Sequence, residues 1–195
     1  MNIQVKSSNG ITTVPIDSQL LLHRKVFVEG EINHDVSWDF VKKIMLLAQE
    51  DKKKPINVFI NSPGGEITAG MLMYDVIQSS ETPIRLYCMG RAYSMAAILF
   101  ASGNHGRYMF SHSKLMVHEP LLGNHVSGNS SSIKSISDSL LESKKKMNEI
   151  LAKHTGKTES EIEEATSFDH YFSATESIDF GLCDGIVGIN EVMEG

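Results

Sequence analysis

Short apolar runs alternate with amphipathic stretches along the first two thirds of the chain, and the two patterns predict different elements. Continuous apolar runs of about four to eight residues are typical of buried strands, whereas apolar residues spaced three and four apart are typical of helices. Strands are predicted at residues 25–30, 56–61, 84–89, 108–110 and 114–118. Helices are predicted at residues 36–49, 68–78 and 95–102. This order predicts an α/β fold with repeated β-α-β units and a mostly parallel sheet covered on both faces.

The last third of the chain contains a much longer helical pattern, at residues 130–154. Its apolar residues recur at three- and four-residue spacing over roughly seven turns, well beyond the ~11-residue mean of protein helices. Two interpretations remain open: an oligomerisation arm that leaves the core, or a helix packed on its own sheet. Shorter elements follow, with capping boxes at Thr158/Glu161 and Ser173/Glu176, a C-cap at Gly181 and a final strand at residues 186–189.

Length and composition favour one globular domain that binds no polyanion. The 195 residues carry 18 Lys and Arg against 24 Asp and Glu, a formal net charge of −6, so nucleic acid is not an expected ligand. The most apolar stretch, residues 95–101, is far shorter than the ~20 residues of a membrane-spanning helix. The first ten residues lack the layout of a secretory signal, and Cys88 and Cys183 are predicted to be core thiols. We therefore expect a cytoplasmic protein without membrane contact.

The segment Asn61-Ser62-Pro63-Gly64-Gly65 is the first candidate for chemistry, because it joins a predicted strand to a predicted helix. Its adjacent glycines allow backbone N–H groups to face a ligand, which predicts an oxyanion or phosphate cradle. A tight turn that needs positive φ explains the same glycines. The segment matches neither G-x-G-x-x-G nor the P-loop, so a nucleotide site is not favoured.

Ser94 lies at the second strand-to-helix junction, where a side chain projects over the carboxyl end of a parallel sheet. Its hydroxyl is either a nucleophile or a plain N-cap of the next helix. His118 ends a predicted strand at the same edge and, among eight histidines, is the candidate base; the other histidines are predicted to lie at the surface. Asp169, in an irregular stretch flanked by aromatic residues, is a weaker candidate for orienting the imidazole from a sheltered position. His118-Glu119 lacks the H-E-x-x-H spacing, so no metal site is expected.

Several segments together match one known family. INSPGGEITAG, GRAYSMAAILFASG and SKLMVHEPL occur in that order, and ILAKHTG, DHYFSATES and FGLCDGIV follow. The chain thus resembles the ClpP peptidase family, the proteolytic subunit of the Clp protease, over about residues 20–189. The resemblance implies that Ser94 is the nucleophile, His118 the general base and Asp169 the orienting acid. It also implies an oxyanion hole formed by the backbone N–H groups of Gly65 and Met95, and no cofactor in this subunit.

The resemblance further implies a ClpP/crotonase-type fold with a protruding handle helix within residues 121–154, in a single domain at residues 20–195. Residues 1–19 are then an N-terminal segment and a candidate axial loop. Family members assemble as two stacked heptameric rings around a chamber, and a hexameric ATPase unfoldase, the only user of ATP, feeds unfolded proteins into it. The implied function is an ATP-dependent Clp-type serine endopeptidase that hydrolyses unfolded polypeptides through an acyl-enzyme.

Some positions depart from the family pattern. Arg91 and Tyr93 stand beside the nucleophile, where family members carry an uncharged residue and alanine. Ser167 and Phe168 replace a charged Asp-Arg pair that other members use across the ring interface, and the loop at residues 121–129 is longer than usual. We therefore expect a divergent member with altered substrate preference and altered contacts between rings.

Two other functions remain open. A crotonase-type acyl-CoA hydratase or isomerase uses a similar fold and an oxyanion hole for a thioester enolate, but it has no use for a Ser-His-Asp set. A latent or structural ring subunit keeps the assembly without turnover of its own. The presence of all three triad residues argues against lost catalysis, but it does not argue against latency.

Overall fold

The computed structural model describes residues 1–7, 10–123 and 127–194, which follow the predicted β-α-β order. The strands are β1 (Asn2–Ser7), β2 (Gly10–Pro15), β3 (Lys25–Glu29), β4 (Ile56–Ser62), β5 (Ile84–Tyr93), β6 (Arg107–Met109), β7 (Lys114–Val117), β8 (His170–Ser173) and β9 (Gly185–Ile186). The helices are α1 (Ile16–Leu22), α2 (His34–Glu50), α3 (Ile67–Ser79), α4 (Met95–Ala101), α5 (Ser130–Thr155), α6 (Glu159–Thr166), α7 (Ala174–Phe180) and α8 (Ile189–Glu194).

Seven of the described strands form a single sheet in which parallel pairs dominate. Its main path is β3-β4-β5-β6-β9, and every pair along that path is parallel. β7 pairs with the end of β5 in parallel, and β8 pairs with β7 in the antiparallel direction. The predicted α/β fold with a mostly parallel sheet is therefore confirmed.

Strand β5 changes its neighbour partway along, and this change brings the candidate site together. Residues 86–88 pair with β6, whereas residues 91–93 pair with β7. Between the two sets, the register with β4 shifts and Gly90 adopts a φ of 94°. Ser113 Oγ fixes this bulge, since it accepts a hydrogen bond from the Gly90 N–H and donates one to the Cys88 carbonyl, both at 2.9 Å. The last residues of β5 therefore run beside β7.

The two faces of the sheet are covered differently. One face packs against the helices and forms the main buried core. The other face carries a ladder of aromatic rings in register, with neighbouring centroids 5.0, 5.1 and 5.4 Å apart, formed by Phe27, Phe59, Tyr87 and Tyr108. Within the described residues, Val192 of α8 is the one buried helical side chain on this face. The prediction that the sheet is covered on both faces is therefore met only in part on this face: β3 to β6 add in one direction, and right-handed crossovers place their helices on the opposite side.

The chain ends contain elements that the hydrophobic pattern does not predict. β1 and β2 form an antiparallel hairpin, and α1 follows β2 directly. The predicted division between residues 19 and 20 falls inside α1, and an axial-loop role for residues 1–19 stays a prediction. At the other end, the strand stops at Ile186, and Ile189 begins a helix. The predicted strand at residues 186–189 is therefore wrong beyond its first residue.

Helix α5 differs in exposure along its length. Met147, Ile150 and Leu151 are buried in the main core, whereas the side chains of residues 130–146 are exposed or half-buried. Packing on its own domain therefore accounts for the carboxyl-terminal part of the helix only. The helix is long but polar on most of its surface, and the described ranges contain no helix long and apolar enough to cross a membrane. Of the predicted longer loop, residues 124–126 lie outside the described residues.

The Arg107 side chain connects three segments that are far apart in the sequence. Its guanidinium donates hydrogen bonds to the carbonyls of Ala101, His154 and Gly181, at 3.2, 3.0 and 2.8 Å. Its other nitrogens pair with the Asp184 carboxylate. Since the Arg107 side chain is only 12% exposed, these acceptors depend on it for their hydrogen bonds.

We predict that Arg107→Met lowers the free energy of unfolding by about 2 to 4 kcal/mol, because it leaves three partly buried carbonyls without their donor and leaves Asp184 with only the backbone N–H of residue 107. Urea unfolding followed by circular dichroism measures the change. Lys52→Met is the matched control, since Lys52 pairs with Glu81 at the exposed surface and such pairs add little stability. Equal midpoints for the two variants would contradict the prediction.

Candidate active site

Ser94 sits in a strained turn between β5 and α4. Its φ of 55° and ψ of −125° make it one of only two non-glycine residues with positive φ in the described part of the chain. Such a conformation costs of order 1–3 kcal/mol and persists only where the surroundings enforce it. Ser94 occupies the N-cap position of α4, yet its side chain makes no capping hydrogen bond. A plain N-cap therefore does not explain this serine.

Contacts on several sides hold the Ser94 backbone in place. Its N–H donates to the Met116 carbonyl of β7 at 2.8 Å, and its carbonyl accepts from the Ala97 N–H at 2.9 Å. The next residue, Met95, is buried and packs against Gly70 of α3, where any larger side chain would overlap it. The small residues of α3 and α4 thus let the turn sit tightly against the core.

His118 reaches the hydroxyl of Ser94 from the end of β7. Tyr93 is opposite Met116 in the β5–β7 ladder, so the residues that follow each strand come out at the same edge. His118 Nε2 lies 2.8 Å from Ser94 Oγ, within a hydrogen bond. When the ring proton is on Nδ1, Nε2 accepts from the hydroxyl, which is the arrangement that makes a serine nucleophilic.

The residue after His118 is anchored to the helical region. The Glu119 N–H donates to the Thr166 carbonyl at the end of α6, at 2.8 Å. The Glu119 carboxylate pairs with Lys144 of α5 at 2.8 Å, and the same ammonium lies 3.4 Å from Glu163. These two carboxylates raise the pKa of Lys144, chiefly through its hydrogen bond with Glu119. The strand end that carries His118 is therefore tied to both α5 and α6.

The glycine pair after β4 lies against the Ser94 turn. A Cβ on Gly64 would be 2.6 Å from the Tyr93 carbonyl oxygen and 2.8 Å from Ser94 Cβ, so only glycine allows this approach. Gly65 has a φ of 152° and forms a bridge with Ile32. In the described hydrogen-bond network, neither the Gly65 N–H nor the Met95 N–H has an acceptor. Two unused donors thus belong to residues at or next to the contact between the glycine loop and the Ser94 turn, which supports the cradle interpretation; positive φ at both glycines shows that the turn interpretation applies as well.

Asp169 lies near His118 but is not bonded to it. Val117 is opposite His170 in the antiparallel β7–β8 ladder, so Asp169, which directly precedes β8, lies beside His118, which directly follows β7. The Asp169 side chain is exposed and, within the described network, makes no hydrogen bond to the imidazole. The expected aromatic shelter is wrong, because Phe168 is 84% exposed and Tyr171 is 51% exposed. Phe172 alone turns inward, since alternate residues of a strand face opposite sides.

The two cysteines and His154 lie in the interior or partly in it, away from the Ser94 site. Cys88 and Cys183 are buried free thiols, as predicted, and burial raises the pKa of Cys88 to about 12. His154 is half-buried and hydrogen bonds to the Tyr74 hydroxyl at 3.2 Å, so its predicted surface position is wrong. Burial lowers the pKa of His154 to about 4. The prediction for His125 lies outside the described residues, and in the remainder of the chain no three His, Cys, Asp or Glu side chains converge in a metal-binding group.

Aromatic and cationic side chains line the face beside Ser94. The Tyr93 ring meets the Tyr171 ring edge-on, with centroids 5.6 Å apart, and the Arg91 guanidinium lies 5.7 Å from the Tyr93 centroid. Arg91 and Tyr93 are unusual from the sequence alone. Tyr171 and Lys114 join them only through strand register, because Met116 is opposite both tyrosines and Lys114 is opposite Arg91.

A parallel sheet, a strained serine at its edge and a histidine within hydrogen-bonding distance are the arrangement expected of a serine hydrolase. Comparison with protein families matches residues 8–190 to the Clp protease family. The chain therefore belongs to the Clp protease family, and its sequence resemblance to ClpP peptidases is confirmed.

We predict that Gly64→Ala slows the labelling of Ser94 by a fluorophosphonate about 100-fold, because the added methyl group displaces the turn by a fraction of an ångström or more. Labelling is measured by intact mass, alongside the melting temperature. Gly123→Ala serves as the control, since a Cβ there meets nothing within 4 Å. Unchanged labelling in Gly64→Ala would contradict the close packing of this loop against Ser94.

Proposed function

We propose that this chain is a serine peptidase subunit of Clp type, which hydrolyses peptide bonds of unfolded polypeptides through an acyl-enzyme on Ser94. The observation that carries the proposal is the 2.8 Å hydrogen bond between His118 Nε2 and a hydroxyl that sits in a strained turn and caps no helix. Membership of a protease family supports the reaction class.

The proposed reaction transfers one proton and exchanges one bond at each stage. His118 Nε2 takes the hydroxyl proton as Ser94 Oγ attacks the peptide carbonyl, and the N–H groups of Gly65 and Met95 stabilise the resulting oxyanion. The imidazolium then gives its proton to the departing amine, which leaves an ester on Ser94. Water, deprotonated by the same imidazole, hydrolyses the ester and restores the hydroxyl.

Asp169 is proposed as the group that orients His118, once its carboxylate turns towards Nδ1. The backbone supports this role, because Asp169 directly precedes β8, whose first residue lies beside the end of β7. The exposed position of Asp169 also supports a second candidate, a subunit that is latent until assembly or a partner orders residues 167–169. Phe168, 84% exposed next to Asp169, is a side chain that such an assembly contact would cover.

The proposed assembly is a homo-oligomer of two stacked heptameric rings. Clp protease family members form oligomeric rings and work with unfoldase partners. In this chain the amino-terminal part of α5 leaves Ile133 46% exposed and Leu141 61% exposed, as expected of a helix that packs against another subunit. A hexameric ATPase would supply unfolded substrate and use ATP, while the peptidase subunit itself needs no cofactor.

We predict that Ser94→Ala abolishes cleavage of short fluorogenic peptides and leaves the oligomer intact, because only the nucleophile is removed. Turnover and light-scattering mass are measured together. Ser111→Ala is the matched control, since Ser111 is an exposed serine in a turn before β7. Undiminished turnover in Ser94→Ala would overturn the proposal.

Hydration of an unsaturated acyl-CoA without fluorophosphonate labelling of Ser94 would favour a crotonase-type enzyme. Labelling without turnover would identify the latent subunit.

We predict that Ile133→Asp reduces the particle to single rings or smaller species, because it places a charge on the side of α5 that Ile133 shares with Ile136 and Leu140. Size-exclusion chromatography with light scattering measures the change. Ser131→Asp adds the same charge on the opposite side of the same helix and is expected to keep the native mass. An unchanged mass for Ile133→Asp would contradict a role for this helix in assembly.

A further inference from the structure

Two cations stand side by side on the face next to Ser94. Arg91 of β5 is directly opposite Lys114 of β7 in the parallel ladder, and both side chains are exposed. Like charges directly opposite each other in a sheet are destabilising. The salt bridges of the described residues include neither Arg91 nor Lys114. An unfavourable pair has thus been kept in a chain whose net charge is −6.

One carboxylate that interacts electrostatically with Lys114 is already committed elsewhere. Glu176 accepts hydrogen bonds from the Ser173 hydroxyl and N–H, at 2.7 and 2.8 Å, within the capping box of α7. These bonds are the main reason that the pKa of Glu176 is lowered, and His170 and Lys114 contribute less. Glu176 therefore leaves both cations free to meet an anionic group from outside the chain.

Contacts with aromatic side chains hold the Arg91 guanidinium in place on the side of the sheet next to Ser94. Arg91 lies over the Tyr93 ring, which stabilises the guanidinium in one orientation. Tyr93 in turn packs edge-on against Tyr171, so the ring cannot swing away freely. The side chains of Arg91, Tyr93 and Tyr171 thus form one continuous surface between Ser94 and the two cations.

The spacing along β5 sets the distance between Ser94 and the cationic pair. Arg91 precedes Ser94 by three residues, and a strand rises ~3.3 Å per residue, so the backbone of Arg91, and with it that of Lys114 opposite, lies roughly 10 Å along the strand from Ser94. An extended peptide covers the same length with about three residues. A substrate side chain about three positions from the cleaved bond is therefore in register with the cations.

We propose that Arg91 and Lys114 form a carboxylate-binding subsite that gives this peptidase a preference for an acidic group about three residues from the scissile bond. The inference rests on the proposed peptidase function. The recognised chemistry is a carboxylate, which is supplied either by an Asp or Glu side chain or by the free carboxyl terminus of a short peptide.

The test uses the assembled wild-type protein and matched fluorogenic peptides. One set carries Glu, Gln or Lys at each of the four positions on either side of the cleaved bond, and a second set compares free with amidated carboxyl termini. We expect a roughly three- to tenfold higher kcat/KM for Glu over Gln at one position, which shrinks in 1 M salt as the charges are screened. A preference confined to free termini would support the subsite and identify the terminal carboxylate as its ligand.

Variants separate charge recognition from structure. Arg91→Gln and Lys114→Gln are each expected to bring the Glu-to-Gln ratio towards one, and Arg91→Glu is expected to invert it in favour of Lys. Lys53→Gln removes an equal charge from an exposed loop and is expected to keep the wild-type ratio. A merely structural role for Arg91 would lower all rates together and would not invert the preference.

Two outcomes overturn the subsite in different ways. Cleavage of neutral peptides with a Glu-to-Gln ratio near one at every position, in free and amidated peptides alike, rejects the subsite while the peptidase function stands. No cleavage of any peptide, together with no fluorophosphonate labelling of Ser94, rejects the peptidase function and the subsite with it.

Discussion

The backbone of Ser94 stays at positive φ because neighbouring segments hold it from several sides. Strand β7 accepts its N–H at Met116, the glycine loop closes over it at Gly64, and α3 leaves room at Gly70 for the Met95 side chain. Each of these contacts depends on a longer-range feature: the bulge at Gly90 that turns β5 towards β7, or the small residues that let helices approach. Without any one of these features, the Ser94 hydroxyl would no longer project towards His118 from a fixed position.

Two unfavourable features are concentrated within a few residues of that hydroxyl. One is the strained turn itself, and the other is the pair of like charges at Arg91 and Lys114. Neither helps the isolated chain to fold, since both raise the free energy of the native state. Features that oppose stability and cluster at one edge of a sheet are better explained by what binds there than by packing.

The sequence predicts this site well where local rules decide the outcome. The capping boxes at Thr158 and Ser173 are present, because they depend on residues only three apart. Ser94 and His118 meet because the ends of neighbouring parallel strands share one edge. Prediction fails where register or topology decides: nothing in the local pattern places Tyr171 against Tyr93, or Lys114 against Arg91. The exposed carboxylate of Asp169 is a third case, since the aromatic residues near it in the sequence, Phe168 and Tyr171, are themselves exposed and give it no shelter.

The energetic cost of the Ser94 turn has a consequence for how such a protein evolves. Glycine at this position would adopt the same backbone without strain and would stabilise the chain, but it would remove the hydroxyl that contacts His118. Selection for stability alone would therefore favour a chain of the same shape without the proposed nucleophile. Under the proposed function, the stability forgone at this one residue is what keeps a reactive group at the edge of the sheet.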